Sequence, residues 1–311
     1  MTTVVKAIGL LGIGVLCVSA FAANPARPGT VNYVEGAVFL EGKQLTAKDV
    51  GSVELNVDEV LSTTSGKAEI LLTPGVFFRL DNNSAVKMIS PSITPTQLEL
   101  ERGRAAVEVE ELYPQNNLEI LNGGVITQLV KTGYYEFDAS NPTVEVFKGK
   151  AAIRVGNGKY KVVNGHHEIV LAEAAQGKPA SFNVRDAADD FYNWNSLRSQ
   201  YLAEANNEIA GEYAGISGFN PGWYWDPDMW DYTFIGMNPY WSPFGFGFYP
   251  PWGWGGGYWG GGFYGGGYYG RGFRGGYGRG FRGGGFRGGG GFHGVGEGGG
   301  FHGGGGGGGR R

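Results

Sequence analysis

From Thr30 onward the chain runs in short segments where apolar and polar residues alternate, broken by Gly, Pro and Asn at intervals of roughly 8 to 12 residues, the pattern of antiparallel strands that bury one face. Val31 and Tyr33, then Val38 and Leu40, alternate around Gly36. Ala68, Ile70 and Leu72, then Val76, Phe78 and Leu80, repeat the pattern on either side of the turn pair Pro74-Gly75, as do Leu98 and Leu100, then Val107 and Val109, around Arg102-Gly103. Further segments follow at 118–120, 125–130, 135–137, 144–147, 153–155, 160–163 and 169–171. This predicts an all-β domain over residues 29–184, an antiparallel sandwich or roll of short strands. One face of each strand is buried, at about 1.5–3 kcal/mol per large apolar side chain, and the charges between keep the other face wet. At 186–210 the period changes. Phe191, Trp194, Leu197, Tyr201, Leu202, Ala205 and Ile209 recur at steps of three and four behind acids at 186, 189 and 190, which predicts one amphipathic helix.

One device recurs within the strands. Arg102-Gly103-Arg104-Ala105-Ala106-Val107 returns as Lys148-Gly149-Lys150-Ala151-Ala152-Ile153, with a fainter copy at Gly66-Lys67-Ala68. A glycine between basic residues, feeding a strand, suits a bulge or tight turn, and the competing reading is an anion-binding nest.

The glycines divide the chain: of 60, 37 fall in residues 245–311. That segment, with almost no aliphatic side chains, cannot recover its ordering entropy, so 261–311 is expected to be a disordered Gly/Arg-rich tail. The formal charge of -4 hides an asymmetry: residues 24–216 hold 17 Lys+Arg against 25 Asp+Glu, whereas the tail holds seven Arg against Glu297. At the other end Lys6, an apolar run from Ala7 to Val18, and Ala20-Phe21-Ala22 predict a signal peptide at 1–22 cleaved after Ala22, and hence a periplasmic or secreted protein. The 17 residues from Ala7 to Ala23 would reach about 26 Å, short of the roughly 30 Å of a membrane core, so the mature chain is expected not to be transmembrane. The single cysteine, Cys17, lies in that leader, which removes disulfides, Cys-zinc sites and thiol nucleophiles from the mature chain.

Against this background the strand segments resemble a FecR-type domain. The resemblance is carried by Thr30-Val31-Asn32-Tyr33-Val34-Glu35-Gly36, by Asp58-Glu59-Val60-Leu61-Ser62-Thr63 running into Ser65-Gly66-Lys67-Ala68-Glu69-Ile70, and by Pro74-Gly75-Val76-Phe77-Phe78-Arg79-Leu80. It continues through Leu98-Glu99-Leu100-Glu101-Arg102-Gly103, Lys131-Thr132-Gly133-Tyr134-Tyr135-Glu136-Phe137 and Val146-Phe147-Lys148-Gly149, and spans roughly residues 29–175. It departs at Val57, where the family usually has glycine, which puts the turn there in doubt. The resemblance implies an extracytoplasmic all-β domain. In the iron-citrate regulator that gives the family its name, this domain relays a signal from an outer-membrane receptor to a sigma factor. Phe191 to Ser199, with Gly222-Trp223-Tyr224-Trp225-Asp226-Pro227 and Ser242-Pro243-Phe244-Gly245, also resembles the C-terminal extension of secreted FecR-domain proteins of soil-type bacteria.

Residues 211–260 interleave Trp, Tyr and Phe with Pro, Gly and Asp. Such a segment is either a ligand-stacking strip, with Trp223, Trp225, Trp230 and Trp241 as candidate contacts, or a cover folded back over the strands. The tail run Arg271-Gly272-Phe273-Arg274 has the composition of RNA-binding RGG segments, a function that export disfavours. No GxxxxGK[ST] loop, no GxSxG elbow and no aspartate-bearing glycine repeat occurs, and His166-His167 would point to opposite faces of a strand. No catalytic, metal-binding or cofactor-binding residue is therefore assigned, and no enzyme activity or small-molecule substrate is expected. The expected function is contact with an unknown envelope or extracellular protein, or signal sensing. The alternatives are glycan or cell-wall binding by the tryptophans and RNA binding by the tail.

Overall fold

The computed structural model describes residues 26–113, 115–156 and 158–254. The leader at 1–22 and the tail at 261–311 lie outside them. Among the described residues fifteen strands form one ladder: β1 (Val31–Leu40), β2 (Lys43–Gln44), β3 (Val60–Leu71), β4 (Val76–Leu80), β5 (Ala85–Pro91), β6 (Thr96–Arg102), β7 (Arg104–Val109), β8 (Leu118–Asn122), β9 (Val125–Leu129), β10 (Gly133–Asp138), β11 (Thr143–Lys148), β12 (Lys150–Val155), β13 (Lys159–Asn164), β14 (His167–Val170) and β15 (Ala180–Ser181). The ladder runs β13-β12-β9-β8-β6-β5-β3-β4-β7-β10-β11-β14-β15, with β1 alongside β3. Every pair is antiparallel except β6 with β8.

Strand β3 joins the two halves of the ladder. Its Val60–Ser62 end pairs with β5 and its Ala68–Leu71 end with β4. The two halves curl toward each other, so that Ile70, Phe78, Val107, Tyr135 and Val144 from one meet Leu98, Ile120, Leu129 and Ile153 from the other in a single core. The recurring basic-glycine device sits where the chain crosses between halves: Gly103 links β6 to β7 and Gly149 links β11 to β12. Both adopt left-handed φ, +72° and +109°. A Cβ on Gly103 would stand 2.7 Å from the Asn83 carbonyl oxygen, and one on Gly149 would stand 2.2 Å from the Tyr135 hydroxyl. The turn reading of the repeat therefore accounts for both glycines. Gly103→Ala is expected to cost about 2 kcal/mol or more, read as a lowered urea midpoint at unchanged slope.

Two helices follow, α1 (Val184–Ala187) and α2 (Asp190–Glu212). The Asp189 carboxylate caps α2, accepting from the Phe191 and Tyr192 amides at 3.0 Å each. The hairpin β16 (Gly222–Asp226) with β17 (Asp231–Ile235), and the short pair β18 (Tyr240–Trp241) with β19 (Gly247–Phe248), then pack with α2 into one layer. Asn206 Nδ2 donates to the Phe234 carbonyl at 2.9 Å, and Thr233 Oγ1 donates to the Leu202 carbonyl at 2.6 Å. No helix of the described residues is long and apolar enough to cross a membrane.

Two expectations change here. The outward face of β3, β4, β7 and β10 is not wet: Glu69, Arg79, Glu108 and Glu136 are buried beneath α2 and the hairpin. The inward side of α2 also differs from the apolar stripe. Phe191, Leu202, Ala205 and Ile209 are buried as expected, but Leu197 and Tyr201 are 46% and 37% exposed, while Asn195, Arg198, Ser199 and Asn206 are buried. A charged sheet face must be met by hydrogen-bonding groups, and that requirement rotates the middle of the helix away from its apolar side.

Candidate functional site

The covered face is a layer of ionised groups. Because strand side chains alternate, the residues opposite the core are Glu69 on β3, Phe77 and Arg79 on β4, Ala106 and Glu108 on β7, with Glu110 just beyond its end, and Tyr134 and Glu136 on β10. Cross-strand register aligns them: Glu69 stands opposite Arg79, and Glu136 opposite Ala106. Arg79 is fully buried and donates from Nε to Glu69 at 2.5 Å and from Nη1 to Glu108 at 2.6 Å. From above, Arg198 of α2 donates to Glu69 at 3.0 Å and to Asp231 of β17 at 2.9 Å, lying 4.1 Å over the Tyr33 ring. Ser199 donates to Glu108 at 2.7 Å, and Asn195 accepts from Arg79 at 3.3 Å.

Asn32 fastens the hairpin. Its amide nitrogen donates to Glu69 at 2.8 Å and to the Tyr232 carbonyl at 2.9 Å, and its oxygen accepts from the Tyr232 amide at 2.7 Å. Apolar contacts flank the charges: Leu71 and Phe77 meet Leu202, Tyr232, Phe234 and Phe248 on one side, and Ala106, Tyr134 and Phe147 meet Phe191 on the other.

Burial and charge pull these carboxylates in different directions. Burial alone would raise Glu69, but the Arg198 and Arg79 charges and hydrogen bonds outweigh it and hold the group at about 2. For Glu108 burial wins over Arg79, and its value is raised. Glu110, buried near Glu108 and bonded to the Tyr240 hydroxyl, is pushed well up. Burial raises Asp231 to about 6 in spite of Arg198.

At the rim of this layer Arg104 clamps the start of α2. It donates to Glu136 and to Asp189, each at 2.5 Å, while Tyr134 donates to Glu136 at 2.7 Å. Burial lifts Glu136 to about 7 against the pull of Tyr134 and Arg104. The cleft beside this clamp, about 270 Å³, is lined by Arg104, Glu136, Asp138, Thr143, Glu145 and Asp189. Its guanidinium is committed to two carboxylates, so the cleft offers an anion little. Among the described residues no group of three His, Cys, Asp or Glu is placed to hold a metal.

The four tryptophans singled out from sequence do not share one role. Trp223 is half-buried and packs edge-on against Phe77 at 5.0 Å and Phe234 at 5.7 Å. Trp225 is half-buried too, between Trp230 at 5.3 Å and Tyr232 at 5.0 Å. Trp230 and Trp241 are 54% and 62% exposed. The segment is thus in part a cover and in part a source of exposed rings. The buried charge layer went unrecognised in the sequence, although Glu69, Arg79, Glu108 and Glu136 sit at alternate positions of otherwise apolar strands.

Residues 58–152 match the family described as FecR protein. No curated protein matches the chain. Among solved structures, crystal structures of a candidate anti-sigma factor from Parabacteroides distasonis, at 2.50 and 1.65 Å, share 12% identity with it at a TM-score of 0.33. These alignments cover 40% of this chain and 59% of the matched chain, less than two thirds of that protein. The segment from the turn before β3 into β12 is thus similar to the FecR family.

Proposed function

We propose that this chain is an exported, non-catalytic FecR-domain protein that acts by contact with another protein of the cell envelope, in sensing or relaying a signal. The observation that carries the reading is the FecR match at residues 58–152, laid over strands whose charged side chains are consumed by structural pairs. The leader motivates the compartment. Whole-cell crosslinking with mass spectrometry, on fractionated cells, tests both parts. The expected result is a mature chain beginning near Ala23 outside the cytoplasm, crosslinked to a discrete envelope protein. A cytoplasmic chain that keeps Met1 would overturn it.

A second reading, glycan binding, is favoured by the exposed rings of Trp230 and Trp241. Retention on peptidoglycan would then fall at least tenfold in a Trp230→Ala/Trp241→Ala variant whose melting temperature is unchanged. Retention equal to the wild type discards this reading.

A further inference from the structure

The acidic core contains one stretch of opposite sign. From Lys148 to Asn164, through β12 and β13, the chain carries Lys148, Lys150, Arg154, Lys159 and Lys161 and no acid. Arg154 reaches Glu119 at 3.5 Å, but Lys148, Lys150, Lys159 and Lys161 take part in no ion pair among the described residues. The three arginines of the charge layer, Arg79, Arg104 and Arg198, are by contrast all drawn into pairs. Lys161 donates to the Gly177 carbonyl, but none of the four lysines has its charge matched by a carboxylate, and in a region with 25 acids against 17 bases they offer positive charge to an acidic partner.

Their position adds a second property. β13 ends the ladder and pairs with β12 alone, so one side of its backbone carries no strand among the described residues. Tyr160 and Val162 alternate on its outer face, 48% and 45% exposed, while Lys159, Lys161 and Val163 occupy the other face, with Val163 in the core. A strand laid against this edge would place its own residues opposite these, same face to same face.

We propose that the free edge of β13 receives an extended segment of a partner protein in which acidic and apolar side chains alternate, added as one more strand. Backbone hydrogen bonds supply the pairing. Apolar residues of the partner lie over Tyr160 and Val162, and its carboxylates lie beside Lys159 and Lys161. Lysines on an edge also serve to repel stray strands. That role predicts refusal of every strand, whereas this surface accepts acidic ones. The proposal rests on the protein-contact reading above and supplies the contact surface.

The test uses the purified full-length chain and an eight-residue capped peptide alternating glutamate and valine, with a block peptide of the same composition as control. Hydrogen exchange of the wild type is expected to slow across residues 159–164 on adding the alternating peptide. Affinity should fall at least tenfold in Lys159→Glu/Lys161→Glu, and should fall as salt rises. No binding at millimolar peptide, equal binding of the block peptide, or protection mapped elsewhere would each overturn it. If the double variant fails to fold, the wild-type exchange map decides alone. Envelope crosslinks found away from β13 would leave the proposed function standing and remove only this docking edge. Failure of both measurements would remove both.

Discussion

Arg79→Met is expected to lower stability by about 3–5 kcal/mol, a drop of roughly 10 °C in melting temperature for a domain of this size. Arg79 is enclosed between two buried carboxylates at 2.5 and 2.6 Å. Methionine fills much of the volume but leaves Glu69 with Arg198 and the Asn32 amide, and Glu108 with only the Ser199 hydroxyl. A charge stranded in a dry layer costs far more than the original pair contributes. Adding Glu108→Gln to Arg79→Met should therefore recover part of the loss, since the amide keeps an acceptor for Ser199 and sheds the charge. Removing the exposed Lys87–Asp58 pair, at 2.9 Å, should leave the melt where it was. Calorimetry on the four proteins separates the cases. Equal losses from the buried and exposed pairs would refute the view of this layer as a desolvated network.

The second large effect is a dependence on pH that runs against the usual one. Glu136 ionises at about 7 in the folded protein against an ordinary 4.5, and Asp231 at about 6 against 3.8. A raised carboxyl contributes fully below its unfolded value and loses that contribution as pH climbs through its folded value. Stability is thus expected to fall from pH 4.5 toward 7.5, by on the order of 3 kcal/mol from Glu136 alone. Glu69, held at about 2, acts in the opposite sense and withdraws support only as pH drops below 4.5. The melting temperature should peak between pH 4 and roughly 5. Glu136→Gln, whose oxygen can still accept from Arg104 while its amide nitrogen donates to the Tyr134 hydroxyl, should flatten the alkaline limb. A peak at pH 8 in the wild type would contradict the burial of these carboxyls.

The strands were readable from sequence because each needs an apolar residue at every second position, and the turns were readable because Gly103 and Gly149 carry a recognisable flank. β5, at Ala85–Pro91, escaped notice because Lys87, Ser90 and Pro91 dilute its alternation, and only the register with β6 shows why Val86 and Met88 face the core. The charge layer was not readable for a deeper reason. A glutamate at an alternate strand position means an exposed face unless something distant covers it, and what covers Glu69 is Arg198, 129 residues later. The helix signal failed at the same place: Asn195, Arg198 and Ser199 look solvent-facing until the surface beneath them is known to be ionic. Of the aromatic strip, sequence identified the right residue types. It could not divide Trp223, held against Phe77, from Trp241, left in water.

The Asn32 clasp has a bearing on how the protein reaches its native state. It ties the second residue of the first strand to Tyr232, 200 positions downstream. A chain threaded out of a translocation channel from its N-terminus would present Glu69, Arg79 and Glu108 unroofed until Tyr232 emerged. Such long-range closure slows folding, because the entropy of a large loop is lost before its contacts form. Folding of an exported chain should accordingly finish late and slowly, through a partly assembled species that exposes Leu71 and Phe77 beside its uncovered charges.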